Sequence, residues 1–372
     1  MAEEEKAIPN LLRVLVNCAE KAANIARVCR SNEQLLSLLV QEKTGGETNS
    51  RFEHDFKTLA DVLIQETIKQ EVGKLFPAMK DLIRGEESPN FTNKEGNSIT
   101  IAVGETESET SDCLAAVLQG HEEAAAALAA EVHRVVNYES SKLGEIPELP
   151  QDLDYGNLGI WIDPIDATAE YISGETMFTN FPGITSTGLD CVTVLIGVYE
   201  HDTGVPIMGV VAQPFGIKLE ENVYNSSIFW GICLPTLQSH NCSFGARDEQ
   251  RHLVIFSSSE QAELLQQFLE LGYEFAFSAG AGHKALKVIT HEVDIYLLSK
   301  GSTFKWDTCA PQAILRSLGG DIFDFKASVR EQKAMPIKYI GEDDDSKRNA
   351  DGLIAVRDVQ VLETIIVKLA QQ

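Results

Sequence analysis

Leu158-Gly159-Ile160-Trp161-Ile162-Asp163-Pro164-Ile165-Asp166-Ala167-Thr168 is the stretch on which the reading of the fold turns. Its apolar first half reads as a strand buried on both faces, and its second half empties two carboxylates and a hydroxyl into one turn. Pro164 cannot donate to a sheet ladder and biases Asp163 away from helix. From Ala167 to Tyr171 a helix can begin, with free N–H groups able to face an anion. Asp163 and Asp166, three residues apart on such a turn, can both reach one hard cation, with the Ile165 carbonyl as a third oxygen.

Outward from this turn, apolar residues recur at helical spacing over 10–30 and again over 59–75, where Phe76-Pro77 stops the pattern. A short strand is expected at 79–83, leading to Gly85-Glu86-Glu87-Ser88. Residues 89–155 are polar, acidic and Ala-rich, with helical content near 113–136, and read as a variable insert. Strands follow at 191–199, 207–213 and 227–233, the first two joined through Asp202-Thr203-Gly204 in the manner of a hairpin. Beyond a Ser, Asn and Gly-rich stretch at 225–247 the pattern becomes strand 253–256, helix 261–271, helix 283–290, strand 293–298, helix 307–318 and strand 321–325. A strand at 352–356 and a helix at 359–369 close it. The expectation is an α+β part over 1–250 and an α/β part over 251–372, in keeping with the size of a 372-residue chain.

Fifty-six Asp and Glu against 31 Lys and Arg give a net charge of −25, which argues against partners such as nucleic acid or anionic membranes. Acidic blocks at 3–5 and 342–345 suit solvated turns or termini. Seven cysteines, an odd number with no CxxC pair and mostly within apolar runs, read as reduced structural thiols and point to the cytoplasm. The acidic start lacks a basic n-region and an apolar h-region, and no stretch reaches the length of a membrane span.

Three separated acidic clusters each end a strand or begin a helix: Glu86 with Glu87, Asp163 with Asp166, and Asp307 in Phe304-Lys305-Trp306-Asp307. Singly, each has an ordinary explanation: an Asp-Pro turn, a solvated loop, a core aromatic beside a helix start. Converging, they make an all-oxygen site that favours Mg²⁺, Ca²⁺ or Mn²⁺ over zinc. No HExxH, EF-hand loop or GxSxG elbow competes.

The series Thr58-Leu59-Ala60-Asp61, Gly85-Glu86-Glu87-Ser88, Asp163-Pro164-Ile165-Asp166-Ala167-Thr168 and Trp306-Asp307-Thr308-Cys309-Ala310 resembles the lithium-sensitive, magnesium-dependent phosphomonoesterase superfamily, and the likeness runs over nearly the whole chain. The resemblance implies a layered α-β-α-β-α sandwich of the sugar-phosphatase type. It implies that Glu86, Asp163 and the Ile165 carbonyl hold a first Mg²⁺, that Asp163, Asp166 and Asp307 hold a second, and that Glu87 helps through water or a third ion. Mn²⁺ or Ca²⁺ could occupy the sites, and Li⁺ would inhibit. Thr168 with Glu86 would position a water, and Asp61 would accept from the Thr168 hydroxyl. Asp166 and the backbone of Ala167 and Thr168 would face the phosphate, while Ser259, Gly280 and Lys284 would contact the rest of the substrate, Lys284 giving the local positive charge that this acidic chain needs.

Within the superfamily the resemblance leads to the branch that removes the 1-phosphate from inositol 1,4-bisphosphate and inositol 1,3,4-trisphosphate, acting as a monomer on small inositol phosphates. Two departures bear on it. Ala167 stands where Ser or Gly is usual, and Gln261 where a phosphate-contacting lysine is expected. The alternatives are a 3'(2'),5'-bisphosphate nucleotidase, to which Trp306 to Pro311 is also similar, and a non-catalytic divalent-metal-binding phosphoinositide sensor.

Overall fold

The nine residues Leu158–Asp166 are all buried and form an inner strand of a six-stranded sheet. The sheet runs in the order Leu237–His240, Val223–Leu234, Pro206–Glu220, Thr193–Glu200, Leu158–Asp166, Ile83–Gly85. All its pairs are antiparallel except the last, where Ile83, Arg84 and Gly85 run parallel to Ile160, Trp161 and Ile162. A second sheet of five strands has the order Glu274–Phe277, Leu253–Phe256, Ile295–Leu298, Leu353–Val356, Asp321–Asp324. Its first three strands are parallel, and Leu353–Val356 runs against both of its neighbours. The computed structural model describes residues 9–31, 36, 39–43, 56–93, 95–137, 143–244, 251–341 and 344–370. The acidic block at 3–5, Glu342 and Asp343 of the second block, and 245–250 lie outside them.

Three apolar cores fill the spaces between layers. Helices Leu11–Arg30 and Leu59–Leu75 cover one face of the six-stranded sheet through Leu15, Ile25, Leu63 and Ile64. Helices Ala281–Ile289 and Lys305–Ser317 lie between the two sheets, with Leu286, Ile289, Ala310 and Ile314 in the core. On the outer face of the second sheet, Phe256, Ile295 and Ile354 pack with Phe268 of Ala262–Glu270 and Leu362, Ile365 and Ile366 of Val359–Ala370. The result is the layered α-β-α-β-α architecture that the resemblance implies.

The helix Lys305–Ser317 lies unusually close to the sheet. Gly209 is paired with Gly197 on one side and with Gly231 on the other, so three glycines form a row across three strands. A Cβ on Gly197 would meet the Ala310 nitrogen at 2.4 Å, one on Gly209 the Ala310 carbonyl oxygen at 2.1 Å, and one on Gly231 the Ser317 hydroxyl at 2.5 Å. The row is a trough for the helix backbone, and it fixes the height of Asp307 above the sheet.

Several boundaries differ from the sequence expectation for identifiable reasons. Instead of a strand from Met79, Pro77–Leu82 is a 3₁₀ turn and the strand is only Ile83–Gly85; Pro77 pre-sets the helical φ of that turn. Helical content near 113–136 resolves into Glu107–Val117 and Glu122–His133, separated where Gln119 and Gly120 take positive φ. Strand Glu274–Phe277, the hairpin Asn90–Thr92 with Ser98–Thr100, and helix Phe325–Glu331 had not been expected. The central strands extend well past 213 and 227 as a polar, half-exposed ribbon, Pro206–Glu220 with Val223–Leu234, whose composition hides its pairing.

Replacing Gly209 by Ala should lower stability by about 1–3 kcal/mol, because the helix backbone must lift to clear the added methyl; urea unfolding measures it, and an unchanged midpoint would contradict the trough. Ala167 sits at φ 68°, ψ 48°, a left-handed conformation that strains a residue with a Cβ. Ala167→Gly should therefore raise the unfolding free energy by about 1 kcal/mol, read as a higher urea midpoint.

Candidate metal centre

Parallel pairing brings the first two acidic clusters together. Because Gly85 is level with Ile162, the residues that follow them, Glu86 and Asp163, come together at the same end of the sheet, and the Glu86 N–H donates to the Ile162 carbonyl at 3.1 Å. Between Asp163 and Asp166 the register with Thr193–Glu200 shifts: Asp163 faces Leu195 and Asp166 faces Thr193, three steps against two. This bulge, beside a proline that cannot donate, re-aims the two carboxylates.

Asp166 then reaches the second half of the chain. Its Oδ1 accepts from the Ala281 N–H at 3.1 Å, and its Oδ2 from the Gly282 N–H at 2.8 Å and the Thr193 hydroxyl at 3.1 Å. A carboxylate at the start of the Ala281–Ile289 helix is favourably placed against its dipole. Gly280, at φ 73°, makes this approach possible: a Cβ there would meet the Cys191 carbonyl oxygen at 2.7 Å and Asp166 Oδ2 at 3.0 Å. Asp307 arrives from the third direction, at the start of Lys305–Ser317, with one oxygen accepting from the Phe304 N–H at 2.6 Å. One carboxylate oxygen from each of Asp163, Asp166 and Asp307 lies within 4.8 Å of the others.

Three carboxylates at this spacing cannot all stay charged without a counter-ion. Burial first, then Glu86, Asp166 and Asp307, pushes Asp163 well above the usual carboxylate range. Burial and Asp166 do the same to Asp307. Asp166 is raised by burial too, but less opposed, because Lys284 and its own N–H partners favour the charged form. Asp163 is 2% exposed, and its Oδ1 is buried without a hydrogen-bond partner. An orphaned carboxylate oxygen among other oxygens, with no His or Cys in the group, is the donor set of a hard divalent cation.

Asp61, in the first turn of Leu59–Leu75, is close enough to Asp163 and Glu86 to repel both. Its Oδ2 accepts from the Thr58 N–H at 2.7 Å and the Thr58 hydroxyl at 2.6 Å, while Oδ1 is buried without a partner. Burial pushes its carboxyl up to about 7. Here the structure departs from expectation: the Thr168 hydroxyl donates to the Ile165 carbonyl at 3.0 Å, not to Asp61. The turn itself supplies that nearby acceptor, three residues back. The same bond uses one lone pair of the Ile165 oxygen and leaves the other.

Glu86 and Glu87 share a partner that no local sequence pattern marks. The Lys43 ammonium lies 2.5 Å from Glu86 and 2.7 Å from Glu87, with Lys57 3.9 Å from Glu87 on its other side. The two glutamates hold Lys43 firmly protonated, against its burial. Glu87 is thus turned toward lysines in a buried pocket, and burial with Glu86 raises its carboxyl to about 8. Lys43 follows the short strand Val40–Glu42, which pairs with Phe56–Thr58, an element too brief to leave a periodic signal.

The expected substrate residues divide. Ser259 is exposed, and Gly280 abuts Asp166. Lys284 differs from expectation. It is 2% exposed, with its ammonium donating to the Ser278 carbonyl at 3.1 Å and the Gly280 carbonyl at 2.5 Å beneath the face of Tyr296. On the buried side of its helix the shortest route for the charge is to the carbonyls of its own approach loop, so Lys284 braces that loop from within.

The model of the inositol monophosphatase family matches residues 79–361. Inositol polyphosphate 1-phosphatase of Bos taurus is 40% identical over 393 aligned residues, covering 97% of each chain. The 3'(2'),5'-bisphosphate nucleotidase 1 of Homo sapiens is 28% identical over 51% of this chain and 59% of its own. Among solved structures, the extragenic suppressor protein suhB of Bartonella henselae superposes with a TM-score of 0.52 at 16% identity, covering 96% of this chain and 98% of that one, a likeness of fold. With a family model over most of its length and a relative this similar from end to end, the chain belongs to the inositol monophosphatase family.

Proposed function

We propose that this chain is a Mg²⁺-dependent, Li⁺-inhibited phosphomonoesterase of the cytoplasm, a monomer that removes the 1-phosphate from inositol 1,4-bisphosphate and inositol 1,3,4-trisphosphate. The observation that carries the reading is the meeting of Asp163, Asp166 and Asp307 within 4.8 Å around an unpartnered buried oxygen, in a chain 40% identical throughout to an inositol polyphosphate 1-phosphatase. Glu86, Asp163 and the Ile165 carbonyl, and Asp163, Asp166 and Asp307, are the residues that would hold the ions. When bound, Mg²⁺ would offset charge on the phosphoryl oxygens and make a water acidic enough to attack.

The side chains do the positioning. Asp61, with Oδ2 locked by Thr58 and Oδ1 unpartnered, is a fixed acceptor beside the metal ligands. The Thr168 hydroxyl can pivot from the Ile165 carbonyl toward Asp61, and Thr168 with Glu86 then orients the attacking water. N–H groups of Ala167 and Thr168, at the start of the short helix that follows, offer donors to the phosphate. Asp166, already fixed by three donors, would border both the phosphate and the ring.

Phosphate release should require Mg²⁺ and fall roughly a hundredfold or more in Asp163→Asn. Turnover of inositol 1,4-bisphosphate should exceed that of adenosine 3',5'-bisphosphate, and the reverse preference would reject the substrate. Metal removal gives a second check, because a carboxyl whose pKa is higher folded than unfolded binds its proton more tightly when folded. The metal-free protein therefore loses stability as pH rises from the ordinary carboxyl range through about 7 for Asp61 and about 8 for Glu87. Bound cations relieve that loss, so chelation should lower the melting temperature more at pH 8 than at pH 5. An equal drop at both would contradict it.

A further inference from the structure

A substrate with a second phosphate brings further negative charge into a pocket lined with carboxylates, so a cation must meet it there. Neither position expected to supply one does so in this structure. Gln261 is neutral, and the Lys284 ammonium is held inside by the Ser278 and Gly280 carbonyls.

The three parallel strands Glu274–Phe277, Leu253–Phe256 and Ile295–Leu298 lie side by side and end at one edge. In sheets of this kind ligands bind beyond the carboxyl ends of the strands. The loops that follow make a rim: 278–280 lies against Asp166, 257–261 carries Ser259 and Gln261, and 299–304 runs into Asp307. Glu260 ties the second loop to the third, its carboxylate accepting from the Ser299 N–H at 2.9 Å, from the Ser299 hydroxyl, and from the Gln261 N–H at 3.0 Å. Lys300 reaches back across this tie, and its ammonium donates to the Ser259 carbonyl. Among the described residues it has no carboxylate partner, and it is only half-buried, so its charge is open to a ligand.

We infer that Lys300, seated on the Ser259 loop, is the cation that receives the phosphate that is not hydrolysed, in place of the lysine absent at Gln261. This rests on the inositol polyphosphate reading above. Neighbouring strands lie roughly 5 Å apart, so an ammonium over the middle strand's loop stands one to two strand widths, roughly 5–10 Å, from the Gly280 edge where Asp166 lies. That is the scale of a six-membered ring with phosphates on opposite carbons. One side chain thereby becomes the means by which a bisphosphate is preferred to a monophosphate.

The test compares inositol 1,4-bisphosphate with inositol 1-phosphate in the full-length protein with Mg²⁺. Lys300→Met should raise KM for the bisphosphate about ten- to hundredfold with kcat kept, as expected for loss of a charged hydrogen bond. It should leave kcat/KM for the monophosphate unchanged. Adding Gln261→Lys to Lys300→Met should bring the bisphosphate KM back toward the wild-type value, which a merely structural role for Lys300 would not allow. The assignment is overturned if Lys300→Met leaves the bisphosphate KM unchanged, or weakens both substrates equally. A wild-type protein that releases phosphate from neither substrate would overturn the phosphatase reading itself, and the assignment with it.

Discussion

Mutual repulsion among buried carboxylates is the constraint around which the molecule is arranged. Asp61, Asp163, Asp166 and Glu87 are all buried, with Glu86 and Asp307 beside them. Such a group would drive itself apart, or take up protons, unless donors and cations were built in around it. The fold supplies donors one at a time: Thr58 to Asp61, the Phe304 N–H to Asp307, and Thr193 with two helix N–H groups to Asp166. Lys43 takes up the two glutamates. Asp61 and Asp163 are each left without a donor on one buried oxygen, and Asp163 stands at the centre of the group. A fold that keeps such a residue trades stability of the empty site for affinity toward cations.

The distances in this site depend on backbone packing far from it. Asp163 and Glu86 are brought level by two paired strands, whereas Asp307 is delivered by a helix set into the trough of Gly197, Gly209 and Gly231. Asp166 fastens the end of the first sheet to the helix layer that both sheets share. The acidic pocket is therefore a seam between the two halves of the layered fold. Lys284 serves that seam from inside by bracing the 278–280 loop, and Gly280 lets the loop come up against Asp166.

The elements legible in the sequence were those with long apolar periodicity. Leu11–Arg30, Leu59–Leu75, the strand Leu158–Asp166 and the alternation after Leu253 were all expected near their observed bounds. Elements whose pairing is decided by distant partners were not: the three-residue strands, the polar ribbon beyond Gln213, and Glu274–Phe277. In the site, the acidic residues could be named because their chemistry is distinctive and their motifs resemble those of a family. The use made of each lysine could not be named. Lys284, Lys43 and Lys300 look alike in a sequence, yet one braces a loop, one neutralises two glutamates and one lies open on the rim. Which way a long flexible side chain turns is set by packing around it, and no local pattern records that.

Anomalous diffraction from a crystal of the protein soaked in Mn²⁺ would test the account most directly. It predicts peaks among Glu86, Asp163, Asp166 and Asp307, with at least one peak in contact with Asp163. Peaks confined to the acidic surface, with the oxygens of Asp163 and Asp307 unligated, would contradict it.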